Sequence, residues 1–414
     1  MEYGCIGEHL SHSFSKEIHA HIAPYSYELR EVAREELAAF MTRRDFRAVN
    51  VTIPYKQDVI PYLYEISPEA KAIGAVNTVV NRDGRLYGYN TDFYGILAAL
   101  SRMGFDSLAG KKVLVLGTGG TSRTACAVAE HLSAKSVYRV SRTGKDGALT
   151  YAEAMAHRAD TALIFNATPS GMYPDPDGIP ISLDGFEALE GVFDAVYNPL
   201  RTRLVTEARA RGVRAECGLY MLVAQAFRAA EIFLDTPLDP SLLDSTYETV
   251  RASKENVILI GMPSSGKSTV GRALAEKLDR PFFDSDTEIE KKTGKTPAVL
   301  FAERGEDTFR EIESEVIASL AAKTACVIAT GGGAVLREEN VRRLKQNGRL
   351  VFLDRPLSDL TPTADRPTAS SREAIEARYH ERYGIYTAVS DLTVTRPKGD
   401  VEKTAEDIRK ELSL

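Results

Sequence analysis

Gly261-Met262-Pro263-Ser264-Ser265-Gly266-Lys267-Ser268-Thr269 decides the fold of the second part of this 414-residue chain. The stretch satisfies G-x-x-x-x-G-K-[ST]. It follows Val257-Ile258-Leu259-Ile260, a β-branched run that predicts a buried strand, and it leads into Thr269 to Leu278, which predicts a helix. A glycine-rich turn between strand and helix lets backbone N–H groups wrap a polyphosphate at the positive helix end. Gly261, Ser264, Ser265, Gly266 and Thr269 belong to that loop, Lys267 reaches the β- and γ-phosphates, and the Ser268 hydroxyl takes a Mg2+ position. A plain Gly/Ser turn with a surface lysine is the competing explanation, and the flanking strand and helix argue against it. The long segment ahead of this strand needs its own account.

At roughly 100–200 residues per domain the length predicts two or three domains. A hydrophobic fraction of 43% with 27% charged residues is that of a well-cored globular protein. The net charge of −6 argues against a nucleic-acid or anionic-membrane surface. An anionic small-molecule substrate must then be held by local arginines and lysines. Nothing in the sequence bears on oligomeric state. Cys5, Cys126, Cys217 and Cys326 are scattered without a C-x-x-C pair, which predicts buried or inert thiols in a reducing cytoplasm. The segment MEYGCIGEHL has neither the basic nor the apolar region of a signal peptide, and no apolar run approaches the ~20 residues of a membrane span. The histidines show no metal-ligand spacing, and His19 and His21 read as solvated.

Residues 1–105 alternate short apolar runs with helical stretches, as a small α/β substrate lobe would. Three clusters there look chemical. Ser11-His12-Ser13-Phe14-Ser15 is a hydroxyl-rich turn before a helix starting near Lys16; it suits a polyol, although an N-cap explains it more simply. In Asn50 to Lys56, strand alternation would put Asn50, Thr52, Pro54 and Lys56 on one side. Gly88-Tyr89-Asn90-Thr91-Asp92 follows Ala75-Val76-Asn77-Thr78 across a hairpin turned at Asn81 to Gly84, and Asn90 or Asp92 could simply cap the next helix.

Lys112 to Leu116, then Gly117-Thr118-Gly119-Gly120-Thr121-Ser122-Arg123 and a helix through Leu132, form the strand, glycine turn and helix of a dinucleotide-binding unit. The G-x-G-x-x-G pattern fails at its last position, where Ser122 stands. The second strand, Ser136 to Val140, ends in Ser141-Arg142-Thr143 where an acid would serve the ribose of NAD, and an arginine between hydroxyls favours the 2′-phosphate of NADP. Further strands end in Asn166 to Met172 and in Asp194 to Pro199. Gln225 interrupts an apolar helix from Gly218 to Phe233, as either a satisfied core amide or a ligand contact.

Taken together, S-x-S, N-V-T-x-P-x-K, A-V-N-T, Y-N-T-D, G-x-G-G-x-S-R, N-A-T-P-x-G-M, D-x-x-Y-x-P and M-L-V-x-Q-A, in that order, make residues 1–235 resemble shikimate dehydrogenase. The resemblance implies that Ser13, Ser15, Thr52, Asn77 and Gln225 hold 3-dehydroshikimate, with Tyr197 nearby. It makes Lys56 and Asp92 the catalytic pair and the Gly117 turn, Gly218 and the Ser141 to Thr143 segment the NADP(H) site. Lys16 stands where that family usually has proline, and Tyr220 where it commonly has glycine near the nicotinamide.

Asp235 to Glu255, with two prolines and many polar residues, reads as a tether with one or two helical turns around Leu242 to Val250. Beyond the P-loop helix, Pro281 to Asp286 predicts a strand ending in Asp284 and Asp286, carboxylates suited to a metal and to a nucleophile. Arg310 and Glu313 share a helix face, as a surface pair or as an arginine held for a substrate carboxylate. Ala325 to Thr330 runs into Gly331-Gly332-Gly333, which lets backbone approach a ligand closely. Arg355 to Ser371 reads as a lid.

The P-loop, D-x-D, F-R-x-x-E, G-G-G, the lid Arg-Pro and E-R-x-x-x-Y make residues 256–414 resemble shikimate kinase. That implies Asp286 as the contact to the substrate hydroxyl and base, and Asp284 as an outer ligand to Mg2+. Arg310 and Arg382 would clamp the shikimate carboxylate beside Gly331 to Gly333, with Arg366 the lid arginine toward the phosphoryl group. The lid is short between Arg366 and Arg382, and Thr368 replaces a usual leucine.

The expectation is therefore an α/β chain. A two-lobed dehydrogenase has a substrate lobe (1–105) and a Rossmann NADP lobe (106–235), followed by a linker (236–255). A P-loop domain like the nucleoside monophosphate kinases (256–414) completes it. Both activities would lie in the shikimate pathway, using NADP(H), ATP and Mg2+. Two alternatives stand beside it: one half serves as a non-catalytic regulatory module, or the first half acts on quinate with NAD.

Overall fold

Val113 to Leu116 and Val257 to Ile260 are apolar at consecutive positions, and every one of these side chains is buried. Only a parallel strand covered on both faces accommodates that pattern. A computed structural model describes residues 1–10, 14–361, 371–395 and 399–414. The chain divides into two compact units, Met1–Val250 and Arg251–Leu414.

The first unit holds two six-stranded sheets. One is mixed, from β1 (Tyr3–Gly7), β2 (Tyr27–Glu31), β3 (Ala48–Val51), β4 (Glu65–Ile66), β5 (Thr78–Arg82) and β6 (Arg85–Tyr89), in the order β2-β1-β3-β5-β6-β4. The other is wholly parallel, from β7 (Lys112–Leu116), β8 (Ser136–Ser141), β9 (Leu149–Thr150), β10 (Thr161–Asn166), β11 (Gly191–Asp194) and β12 (Arg214–Cys217), in the order β12-β11-β10-β7-β8-β9. Its chain order reverses at β7, between β10 and β8, and the crevice outside the carboxyl ends of such strands is where a doubly wound sheet binds ligands. The second unit has a parallel sheet of β13 (Asn256–Ile260), β14 (Phe282–Asp284), β15 (Val327–Ala329), β16 (Gly348–Asp354) and β17 (Leu392–Thr395), ordered β14-β15-β13-β16-β17. The switch there is β13, the strand that feeds the P-loop.

Several expectations are corrected. β3 stops at Val51, and residues 53–59 turn, so Thr52 to Lys56 do not share a strand face. Asn50 is instead a sheet brace, accepting from the Tyr27 hydroxyl at 2.7 Å and donating to Thr78 Oγ1 at 3.0 Å. The helix Ser15–Ile22 has Phe14 at its N-cap with no side-chain cap, so Ser15 opens the helix without capping it. β14 ends at Asp284, which caps the helix Ser285–Thr293 and so puts Asp286 in its first turn. His19 is 1% exposed: its ring stacks on Tyr27 at 3.9 Å and its Nδ1 pairs with the Tyr25 hydroxyl at 2.7 Å. Burial pushes its pKa down to about 3, so it stays neutral, while His21 is exposed as expected.

The tether is also more ordered than its composition suggests. Ser241–Lys254 is one helix; its Tyr247 and Val250 are buried in the core of the first unit, with Leu238, Leu242 and Leu243 packed against them. Tyr220 meets it there. The Tyr220 hydroxyl donates to Asp244 at 3.0 Å, its ring lies edge-on to Tyr247, and the Arg102 guanidinium covers both rings. At the start of the second unit the buried Glu255 carboxylate pairs with Arg251 at 2.7 Å and Arg349 at 2.8 Å.

Candidate active sites

In the first unit Lys56 and Asp92, 36 residues apart, meet: Nζ donates to Oδ2 at 2.6 Å. A turn places the lysine. The Lys56 carbonyl accepts from Val76 N at 2.8 Å, and its neighbour Tyr55 is fully buried with its hydroxyl on the Val32 carbonyl at 2.6 Å. Asn90 caps the helix Thr91–Arg102, which puts Asp92 in its first turn. Asp92 Oδ1 accepts from Asn77 Nδ2 at 3.0 Å, and the same amide reaches Gln225 Oε1 at 3.2 Å. Asn77 Oδ1 takes the Thr91 N–H at 2.7 Å. Lys56, Asp92, Asn77 and Gln225 thus form one hydrogen-bonded set. Tyr197 packs edge-on against Phe14, next to Ser15, and Thr52 follows the end of β3. Ser13 lies outside the described residues.

The glycine turn after β7 fits a diphosphate. Gly117 has a φ of +111°, and a Cβ there would come within 3.0 Å of the Ala167 carbonyl, so the position requires glycine. A Cβ at Gly119 or Gly120 would meet nothing within 4 Å, which leaves the mouth of the helix Gly120–His131 open beside Thr121. Ser122, the residue that breaks the glycine pattern, is buried, and its hydroxyl braces the turn by donating to the Gly117 carbonyl at 2.6 Å. At the end of β8, Ser141 Oγ accepts from Gly144 N, while Arg142 and Thr143 are exposed. Gly218 is set by close packing, since a Cβ would lie 2.1 Å from the Ala195 carbonyl.

In the second unit Gly261 (φ +140°), Ser264 (φ +65°) and Gly266 (φ +91°) shape the P-loop. Ser264 Oγ and Ser265 Oγ are buried with no partner among the described residues, as suits a loop that wraps an anion. Lys267 is buried and curls over the loop onto the carbonyls of Gly261 (2.9 Å) and Met262 (2.8 Å). Ser268 Oγ donates to Asp284 Oδ2 at 2.5 Å; hydroxyl and carboxylate are hard oxygen donors of the kind Mg2+ takes in small number beside phosphates. Thr269 is exposed.

Opposite lies a charged cluster. Arg310 is buried and donates to Glu313 at 2.6 Å and Glu306 at 3.3 Å, so this is no surface pair. Burial raises the pKa of Glu313 and nearby Asp286 raises it further, while Arg310 and Arg382 act the other way. Arg382 is 1% exposed, and its Nε and Nη2 have no hydrogen-bond partner among the described residues. The glycines pack directly on this cluster. A Cβ at Gly331 would sit 2.9 Å from Asp286 Oδ1 and 3.0 Å from Glu313 Oε1; one at Gly333 would sit 2.2 Å from Arg310 Nη1. The Gly332 carbonyl accepts from the Tyr386 hydroxyl. Arg355, expected at the start of the lid, is instead buried and donates to the Ser265 carbonyl at 3.1 Å. Ser371, expected at its end, caps the helix Arg372–Val389. Arg366 lies outside the described residues.

Comparison with known proteins places both units. Residues 5–79 match the shikimate dehydrogenase substrate-binding domain. The shikimate dehydrogenase (NADP(+)) of Clostridium perfringens (strain SM101 / Type A) is 37% identical over 267 residues, 60% of this chain and 98% of its own length. This chain belongs to the shikimate dehydrogenase family. Crystal structures agree. Shikimate dehydrogenase 1 from Peptoclostridium difficile is 36% identical with a TM-score of 0.55, covering 60% of this chain and 98% of that one. The Thermus thermophilus shikimate 5-dehydrogenase, solved in complex with NADP(H) and shikimate, is 32% identical with a TM-score of 0.54, covering 60% and 99%. Residues 263–413 match shikimate kinase. The chain is a fusion of a shikimate dehydrogenase with a shikimate kinase domain.

Some residues of the dehydrogenase unit escape sequence reasoning. Asp194, buried at the end of β11, accepts from Asn166 Nδ2 (3.0 Å), Val196 N (3.0 Å) and Thr202 Oγ1 (2.7 Å), tying together the loops that follow β10 and β11. Its signal was available only as the first letter of D-x-x-Y-x-P. In the kinase domain Glu313 was seen as a partner of Arg310 but not as part of the site.

Proposed function

We propose that the chain reduces 3-dehydroshikimate to shikimate and then phosphorylates shikimate at its 3-hydroxyl. NADPH, when bound, supplies the hydride, and ATP the phosphoryl group. In the dehydrogenase unit the Lys56 ammonium stands ready to give its proton to the oxygen that gains charge as the ketone is reduced. Asp92 aims that ammonium through the 2.6 Å contact, and Asn77 fixes Asp92 from the other side. Ser13, Ser15, Thr52, Gln225 and Tyr197 are the polyol's neighbours in this reading.

In the kinase domain Asp286 accepts the hydroxyl proton. Arg382 offers its buried Nε and Nη2 to the substrate carboxylate, with Arg310 beside it. Lys267 and the P-loop amides would hold the polyphosphate; Ser268 and Asp284 would hold Mg2+, which would supply positive charge to offset that of the phosphates. Arg142 speaks for NADP through its 2′-phosphate. Four free cysteines suit a reducing cytoplasm.

The observation that carries the reading is the Lys56–Asp92 contact, which sequence separation alone would not produce. Its test is a pair of variants in the full chain. Lys56→Met should lower reduction by about 10²–10⁴-fold and leave shikimate phosphorylation intact, and Asp286→Asn should do the reverse. If Lys56→Met reduces dehydroshikimate at the unaltered rate, the role of the pair is wrong.

A further inference from the structure

Arg123 joins the two halves of the dehydrogenase cleft at a point the reaction itself does not explain. It sits in the first turn of the helix Gly120–His131, and its own N–H is bonded to the Gly119 carbonyl at 3.2 Å. Its neighbour Ser122 clamps Gly117, so its backbone is as fixed as the glycine turn itself. From there its side chain reaches Gln57, the residue after Lys56. With the Gln57 amide oxygen turned toward the guanidinium, Nη2 donates to it at 2.6 Å and Nη1 at 3.3 Å. The Nε–H is buried without a partner among the described residues.

Among the described residues, the other hydrogen bonds that hold the Lys56 turn come from its own lobe, among them Val76 N on the Lys56 carbonyl, Ile60 N on the Gln57 carbonyl and Tyr55 on Val32. Gln57 is exposed, so nothing in core packing calls for the contact. A forked, permanently charged donor lying across two elements with discrete anchors is a means of fixing their spacing.

We propose that Arg123 is a positioning residue. Through Gln57 it ties the turn that carries Lys56 to the glycine turn that takes the cofactor diphosphate, so that filling one site sets the other. The inference rests on Lys56 being the group at the substrate ketone. Hydride transfer demands a fixed distance between the cofactor ring and the carbonyl, and a small misplacement costs rate more than affinity.

The experiment is a double-mutant cycle in the full chain with Arg123→Met, Gln57→Ala and both together. Each single variant should lower kcat for dehydroshikimate reduction about tenfold with the substrate KM within about twofold, and the double should be no slower than the slower single. Calorimetry gives a readout apart from turnover. Shikimate and NADP+ should each tighten the other's binding several-fold in the wild type, and both single variants should lose that coupling. Gln57→Ala, at an exposed position, answers the objection that Arg123→Met merely misfolds. Additive losses, or intact coupling in Gln57→Ala with only NADP+ affinity weakened in Arg123→Met, would overturn the tie and leave Arg123 a simple phosphate contact. A wild-type chain that consumes no NADPH would remove the premise about Lys56 instead.

Discussion

Asp194 shows how one residue ties stability to pH. Burial pushes its carboxyl up to about 7, although three donors favour the charged form. An unfolded aspartate titrates near 3.9. Between these values the folded unit holds a proton that the unfolded chain has released. The contribution is therefore complete below about pH 4, declines as pH rises to about 7, and is constant beyond, a change on the order of 4 kcal/mol at most. Urea titrations between about pH 5 and about pH 7.5 should show the dehydrogenase unit losing stability over this range, and Asp194→Asn should flatten the trend. A wild-type slope equal to that of the variant would mean that Asp194 is ionised throughout. The thiols behave as their spacing implies. All four are free, and burial raises Cys126 to about 11 and the other three to about 12, so none is a nucleophile near neutral pH.

Among elements, the two glycine turns were legible because their chemistry is local: strand, turn and helix lie within a dozen residues, and φ above zero at Gly117, Gly261 and Gly266 leaves few alternatives to glycine. What was not legible depended on contacts across the chain. Alternation wrongly carried β3 through Lys56 because a period of two holds only while the strand lasts. His19 looked solvated because nothing local announces a stack with Tyr27. The G-G-G strip was readable as a close approach, but not what it approaches. At Gly333 that is Arg310, and it yields a prediction. Gly333→Ala would force a methyl into the guanidinium, which Glu313 holds in place. The kinase KM for shikimate should rise at least about tenfold while dehydroshikimate reduction is unchanged. An unaltered KM would show that Arg310 can swing away without consequence.

At the scale of the whole chain, the tether reading failed for a physical reason. Prolines and polar residues at Asp235 to Pro240 mask an amphipathic helix whose apolar side, Leu242, Leu243, Tyr247 and Val250, belongs to the first unit's core. Tyr220 turns its hydroxyl to that helix. The first unit accounts for its boundary at Val250 in these terms. A chain ended at Asp235 should be less stable than one ended at Lys254 by on the order of 5 kcal/mol, measured by urea denaturation of the two fragments. Equal stabilities would return the segment to the status of a tether.

The central claim is that two complete, successive activities reside in one polypeptide. The most direct measurement is a single reaction of the purified chain with dehydroshikimate, NADPH and MgATP, following NADPH, ADP and shikimate 3-phosphate together. Loss of NADPH matched by ADP and phosphorylated product is the result predicted. Shikimate accumulating without ADP would contradict it for the kinase domain, and ADP formed only from added shikimate, with NADPH untouched, would contradict it for the dehydrogenase.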